Sequence, residues 1–157
     1  MEKNADFFHY IDNETGDGLE YNDFPFDKVP SHQPIVCDMS SSFLTKPIDW
    51  TKFGMVYASA QKQAGVANVC ICVVRKDLIG CHQPQTPATF AWQSYSETAT
   101  LDYMPNTWGI YMITVWVDHQ LNLGGLGEMQ ARAQARSTPL YRYIDSERQY
   151  YRNIIEP

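Results

Sequence analysis

Residues 34–62 read PIVCDMSSSFLTKPIDWTKFGMVYASAQK, and two short apolar runs within them decide the fold. Pro34-Ile35-Val36-Cys37-Asp38 is too short for a helix and rich in β-branched residues, so it predicts a buried strand that ends in a carboxylate. Met55-Val56-Tyr57-Ala58 predicts a second strand, whose exit carries Ser59-Ala60-Gln61-Lys62. Residues 69–74 (VCICVV) are apolar on both faces, which predicts an inner strand of a sheet covered on each side. Upstream, residues 7–11 (FFHYI) predict a strand, residues 13–18 a turn, and residues 19–23 further extended chain. Residues 27–34 form a polar, proline-bounded loop, and Ser40-Ser41-Ser42 a second loop.

Downstream the period changes. Residues 108–121 place apolar side chains at helical spacing, with Thr107 as N-cap and Gly124-Gly125 as the stop. Residues 126–145 predict a second helix, kinked or divided at Pro139, and residues 150–155 a last strand. The sum is an α/β domain with a mixed, mostly parallel sheet flanked by helices. No internal repeat or low-complexity block interrupts it.

Composition narrows the chemistry. With 157 residues, 44% hydrophobic and 19% charged, the chain holds one domain's worth of core. Its net charge of -6 makes nucleic acid and anionic membranes poor partners. Arg132, Arg136, Arg142 and Arg148 read as a solvated helix face. Cys37, Cys70, Cys72 and Cys81 lack paired zinc spacing and read as buried thiols of a reducing compartment. Cys81-His82 reads as structural, so no metal site is expected. No stretch has the pattern of a secretory signal or a membrane span, and a cytoplasmic address is the expectation.

Asp38 and Lys62 are the candidate reacting groups, because ligands of open α/β sheets sit outside the carboxyl ends of the strands. An acid and an amine delivered there suit pyridoxal-phosphate chemistry. The amine bonds the cofactor aldehyde, and the carboxylate keeps the pyridine nitrogen protonated so that the ring accepts electrons. Desolvation or nearby positive charge would bring the lysine towards neutrality as a usable base. Alone, each residue reads more simply, as a turn carboxylate and as a solvated surface charge.

A longer pattern joins them. His9-Tyr10 with Asn13-Glu14-Thr15, Cys37-Asp38-Met39-Ser40-Ser41 with Phe43-Leu44, Lys46-Pro47-Ile48-Asp49, Lys52-Phe53-Gly54, and Tyr57-Ala58 with Ala60-Gln61-Lys62 follow in order. The run continues through residues 73–80 and 141–145 to Glu156-Pro157. In these segments the chain resembles the phosphoserine aminotransferase family, a branch of the fold-type-I pyridoxal-phosphate enzymes. The resemblance implies pyridoxal 5'-phosphate as cofactor, with Lys62 bonding its aldehyde and Asp38 its ring nitrogen. It further implies Thr15 at the ring hydroxyl region and Gln61 at the cofactor phosphate. The implied reaction moves an amino group between glutamate and 3-phosphohydroxypyruvate, giving 2-oxoglutarate and O-phosphoserine, in serine biosynthesis.

The chain departs from the family at Ser59 and Gln63, where the family has Gly and Asn. The family also has an Asn-Thr pair that reaches the neighbouring subunit's cofactor phosphate; without gaps, Tyr103 and Met104 hold those places. Asn106 and Thr107 can serve only if that loop slips, and a helix cap is the favoured reading. Residues 1–157 thus correspond to a partial large domain, with the family's N-terminal part and small C-terminal domain missing. Little or no transamination is expected of the chain alone. Uncovered apolar surface predicts a homodimer or a partner chain. The competing reading is a non-catalytic relative that serves as a structural or interaction subunit.

Overall fold

The computed structural model describes residues 4–100 and 104–152. Three strands run parallel: β1 (Phe8–Ile11), β4 (Ile35–Asp38) and β5 (Met55–Ser59). A fourth, β6 (Cys70–Val74), returns antiparallel to β5, so the sheet order is β1-β4-β5-β6. Between β1 and β4 a small hairpin pairs β2 (Asn13–Glu14) with β3 (Leu19–Glu20). Helices follow: α1 (Trp92–Glu97), α2 (Thr107–Asn122) and α3 (Gly125–Ser146). The sheet is mixed and mostly parallel, as expected from residues 34–62.

Register sorts the side chains. Tyr10 lies opposite Cys37, and Cys37 opposite Val56, so these share one face with Phe8, Ile35 and Ala58. That face is the core, sealed by Phe43, Phe53, Met39 and Ala60. The other face carries His9, Asp38, Tyr57 and Ser59. Small residues dominate where β5 leaves the sheet: Ala58, Ala60 and Ala64 are nearly or fully buried, so the chain can bend close against its neighbours. Gly54 serves the same end at the entry to β5. A Cβ there would lie 2.6 Å from Cβ of Pro34, and its amide bonds Ile35 O at 2.8 Å.

Several sequence expectations are corrected. Residues 69–74 do not form an inner strand: among the described residues β6 is the sheet edge, and Cys70, Cys72 and Val73 are exposed. Apolarity on both faces reports what the strand could bury, not what this chain supplies to bury it. For the same reason only Cys37 is a core thiol; Cys70, Cys72 and Cys81 are exposed. Residues 13–18 are not all turn, since Asn13 and Glu14 pair with Leu19 and Glu20, and extended chain beyond β3 stops at Glu20. The N-cap of α2 is Asn106 rather than Thr107: its side chain accepts from Gly109 N at 3.0 Å. Gly124 does end that helix in the left-handed conformation, at φ 117°.

α3 runs unbroken through Pro139. The proline removes one helical hydrogen bond, but the rest of the 22-residue helix keeps its own. Arg132, Arg136, Arg142 and Arg148 are exposed along and beyond it, with Arg132 bonded to Glu128 at 2.7 Å. Residues 150–152 form no strand, and 153–155 lie outside the described residues. None of the described helices is long and apolar enough to cross a membrane.

Lys46 clamps the hairpin to the sheet. Its Nζ lies 3.5 Å from buried Asp12 and donates to Glu20 at 2.9 Å and to the Tyr21 carbonyl at 3.2 Å. Burial lowers its pKa, but the Glu20 hydrogen bond and the Asp12 and Glu20 charges outweigh that and raise it. Replacing it leaves Asp12 buried without a counter-charge. Lys46→Met is therefore expected to cost about 3 kcal/mol in urea unfolding at pH 7, with part recovered in Lys46→Met/Asp12→Asn.

Cys37 gives a pH test. Burial pushes its thiol up to about 12 from 9.0. Above pH 9 the unfolded chain loses this proton while the folded chain keeps it, so stability falls as pH rises between 9 and 12. Cys37→Ala should be less stable at pH 7, yet its alkaline decline should be shallower by about 1.4 kcal/mol per pH unit. Denaturation midpoints across that range decide it.

Candidate active site

The three parallel strands end at one edge of the sheet, and each delivers a polar group there. β4 ends on Asp38. The hairpin after β1 carries Thr15 on its turn. Lys62 follows β5 by three residues. Parallel strands alone would scatter these groups; the Lys46 clamp on the hairpin and the serine loop after β4 gather three of the side chains.

Lys62 Nζ donates to Thr15 Oγ1 at 2.5 Å and also to Ser41 Oγ. The two hydroxyls meet each other at 2.6 Å. The serine loop is itself locked. Asp38 Oδ1 accepts from the Ser40 amide at 2.8 Å, and Ser40 Oγ accepts from the Ser59 amide at 3.0 Å. Asp38 and the hydroxyl that holds Lys62 are thus three residues apart on one hydrogen-bonded turn.

Behind Asp38 stands a chain of polar rings. Tyr57 is the register partner of Asp38; burial first, then the Asp38 charge and hydrogen bonding to it, raise the phenol's pKa. His9 Nε2 lies 3.0 Å from the Tyr57 hydroxyl, with the two rings stacked at 6.0 Å.

The sequence-predicted residues divide into those the structure gathers and those it does not. Thr15 and Lys62 touch, Asp38 adjoins them through Ser40 and Ser41, and Gln61 is exposed beside Lys62. Asn106 and Thr107 lie at the start of α2, where the Asn106 side chain is engaged with Gly109 N. That helix packs near the same loop, since Trp116 Nε1 donates to the Gln63 carbonyl at 2.5 Å. Met104 is exposed, and Tyr103 lies outside the described residues. Sequence reasoning gave no role to Ser41, Tyr57 or His9. All three fall in the family-like segments, but only strand register puts His9 and Tyr57 on the Asp38 face.

The donor set fits pyridoxal phosphate at two ends: an amine for the aldehyde, and a carboxylate for the ring nitrogen. Comparison with known proteins agrees. Residues 7–156 match the family model described as aminotransferase class-V. A probable phosphoserine aminotransferase of Dictyostelium discoideum is 38% identical over 97% of this chain and 41% of its own length. Phosphoserine aminotransferase 2, chloroplastic, of Arabidopsis thaliana is 38% identical over 97% of this chain and 36% of its own. Among solved structures, the pyridoxal-phosphate-bound phosphoserine aminotransferase of Trichomonas vaginalis superposes with a TM-score of 0.89 at 33% identity, covering all of this chain and 42% of that one. The enzyme from Bacillus circulans subsp. alkalophilus gives 0.86 at 32% identity, over 92% and 39%. The chain spans about two fifths of the length of the curated relatives it matches. Residues, fold and comparisons converge, and the chain belongs to the class-V aminotransferase family.

Proposed function

We propose that this chain is the cofactor-bearing part of a phosphoserine aminotransferase, passing an amino group between glutamate and 3-phosphohydroxypyruvate in serine biosynthesis. The observation that carries the reading is the grip of Thr15 and Ser41 on Lys62 at the strand ends, one turn from Asp38. When bound, pyridoxal 5'-phosphate would supply an electron-accepting ring. Lys62 Nζ would anchor the aldehyde carbon and then move the proton at the substrate α-carbon. Asp38, backed by Tyr57 and His9, would hold the proton on the ring nitrogen. Thr15 would orient the ring hydroxyl side, and Gln61 would meet the phosphate. Asn106 and Thr107 would meet the phosphate of a second copy, which requires Asn106 to release Gly109 N.

Residues 1–157 then form part of a large domain, acting as a cytoplasmic homodimer. A phosphorylated amino or keto acid must be held by cations that pair with carboxylate and phosphate. Arg75 is paired with Asp77 at 2.6 Å, and Arg132 and Arg148 are paired along α3 and just beyond it. Turnover by the 157-residue chain alone is expected to be weak or absent, since it spans about two fifths of the length of the relatives it matches. A second reading, a non-catalytic interaction subunit, is favoured by the exposed β6 edge together with Trp108, Tyr111 and Val115 exposed on α2.

Cofactor loading separates the two. The purified chain mixed with pyridoxal phosphate is expected to develop the visible absorption of lysine-bound cofactor, and Lys62→Ala to abolish it. Asp38→Ala should bind more weakly while keeping the band's origin at Lys62. Absence of any band, or an unchanged band in Lys62→Ala, defeats the aminotransferase reading and leaves the interaction subunit. If any transamination is detected in the chain, Lys62→Ala should lower it by at least about 100-fold.

A further inference from the structure

Cys70 and Cys72 alternate with Ile71 on the edge strand, so both thiols project from the same sheet face. Both are exposed, both are free, and their sulfurs are 3.8 Å apart. Two thiolates on a tetrahedral zinc ion, each at about 2.3 Å, span about 3.8 Å. The strand thus holds the pair at the bite a tetrahedral d10 cation requires, before any ion arrives. Disulfide formation fits less well. Strand residues two apart are separated by about 6.6 Å along the strand, near the long limit of about 6.8 Å for bridged Cα atoms, and the sulfurs would have to close to about 2.05 Å. Oxidation would buckle the strand, whereas cation binding would not.

We propose that Cys70 and Cys72 form a two-thiolate site for a divalent d10 cation of the zinc and cadmium class, independent of any cofactor. Among the described residues no cluster of three or more His, Cys, Asp or Glu side chains surrounds the pair. The remaining coordination positions are therefore open to water or to an external thiol. The site also has a position of consequence. Cys72 is the register partner of Tyr57, and Tyr57 of Asp38. A bound dication sits on the face that carries the Asp38 carboxylate, two strand spacings or roughly 10 Å away. Occupancy would place positive charge beside the Tyr57 and Asp38 pair without touching Lys62.

Cadmium is the probe, since thiolate-to-cadmium charge transfer absorbs in the ultraviolet. The reduced 157-residue chain is expected to titrate to one equivalent, with zinc competing. Cys70→Ser and Cys72→Ser should each weaken binding by more than the 10- to 100-fold that loss of an outer-shell partner costs, while Cys81→Ser binds as the parent does. Bound cadmium should also protect two thiols of the parent from a disulfide reagent, a readout that needs no variant to fold. The proposal is overturned if either Cys70→Ser or Cys72→Ser binds cadmium as tightly as the parent. Loss of binding in Cys81→Ser, or unchanged thiol reactivity in the loaded parent, overturns it equally.

Discussion

The parallel pairing of β1, β4 and β5 is the constraint on which everything else rests. Parallel strands place their carboxyl ends along one edge, so residues far apart in sequence emerge side by side. Thr15 and Lys62 are 47 residues apart and bond directly. Antiparallel pairing of β4 with β5 would send Asp38 and Lys62 to opposite ends of the sheet. The register does further work by fixing faces: Cys37 and Val56 point to the core, and Asp38 and Tyr57 to the other side. A slip of one residue would exchange them, burying a carboxylate and exposing the apolar set.

Packing supports the edge from below. Aromatic rings of Tyr10, Phe24, Phe26 and Phe53 run beneath the sheet, with Tyr10 and Phe24 stacked at 3.9 Å. Above them, small residues between β5 and α2 allow close approach. A Cβ on Gly109 would lie 2.6 Å from Val69, and one on Gly65 2.9 Å from Ile113. The loop after Lys62 is therefore held on the sheet side by Ala60 and Ala64 and on the helix side by Ile113 and Trp116. A lysine placed on such a loop has its backbone fixed while its side chain stays exposed. That combination suits the role proposed for Lys62.

The other face of the sheet behaves differently. It carries Asp38, its register partner Tyr57 and His9 bonded to Tyr57, but also Cys70 and Cys72 on the strand that is the sheet edge among the described residues. Its apolar edge strand remains half-exposed, and Trp108 and Tyr111 are exposed on α2.

Local sequence determined strands β1, β4, β5 and β6, helices α2 and α3, and the residue types at their ends. Short β-branched runs cannot be amphipathic helices, and Gly124 terminates α2 because few other residues tolerate its left-handed backbone. Asp38 and Lys62 were legible as strand-exit groups, and the ordered family segments linked them. Tertiary structure alone decided the rest, because those matters depend on groups distant in the chain. Whether 69–74 is an inner or an edge strand depends on what lies beside it, not on its own side chains. The same holds for three of the four thiols. Asn106 rather than Thr107 caps α2 because the oxygen within reach of Gly109 N is chosen by backbone geometry. Ser41 became a partner of Lys62, and His9 of Tyr57, only once pairing between strands had set them on the same edge and the same face.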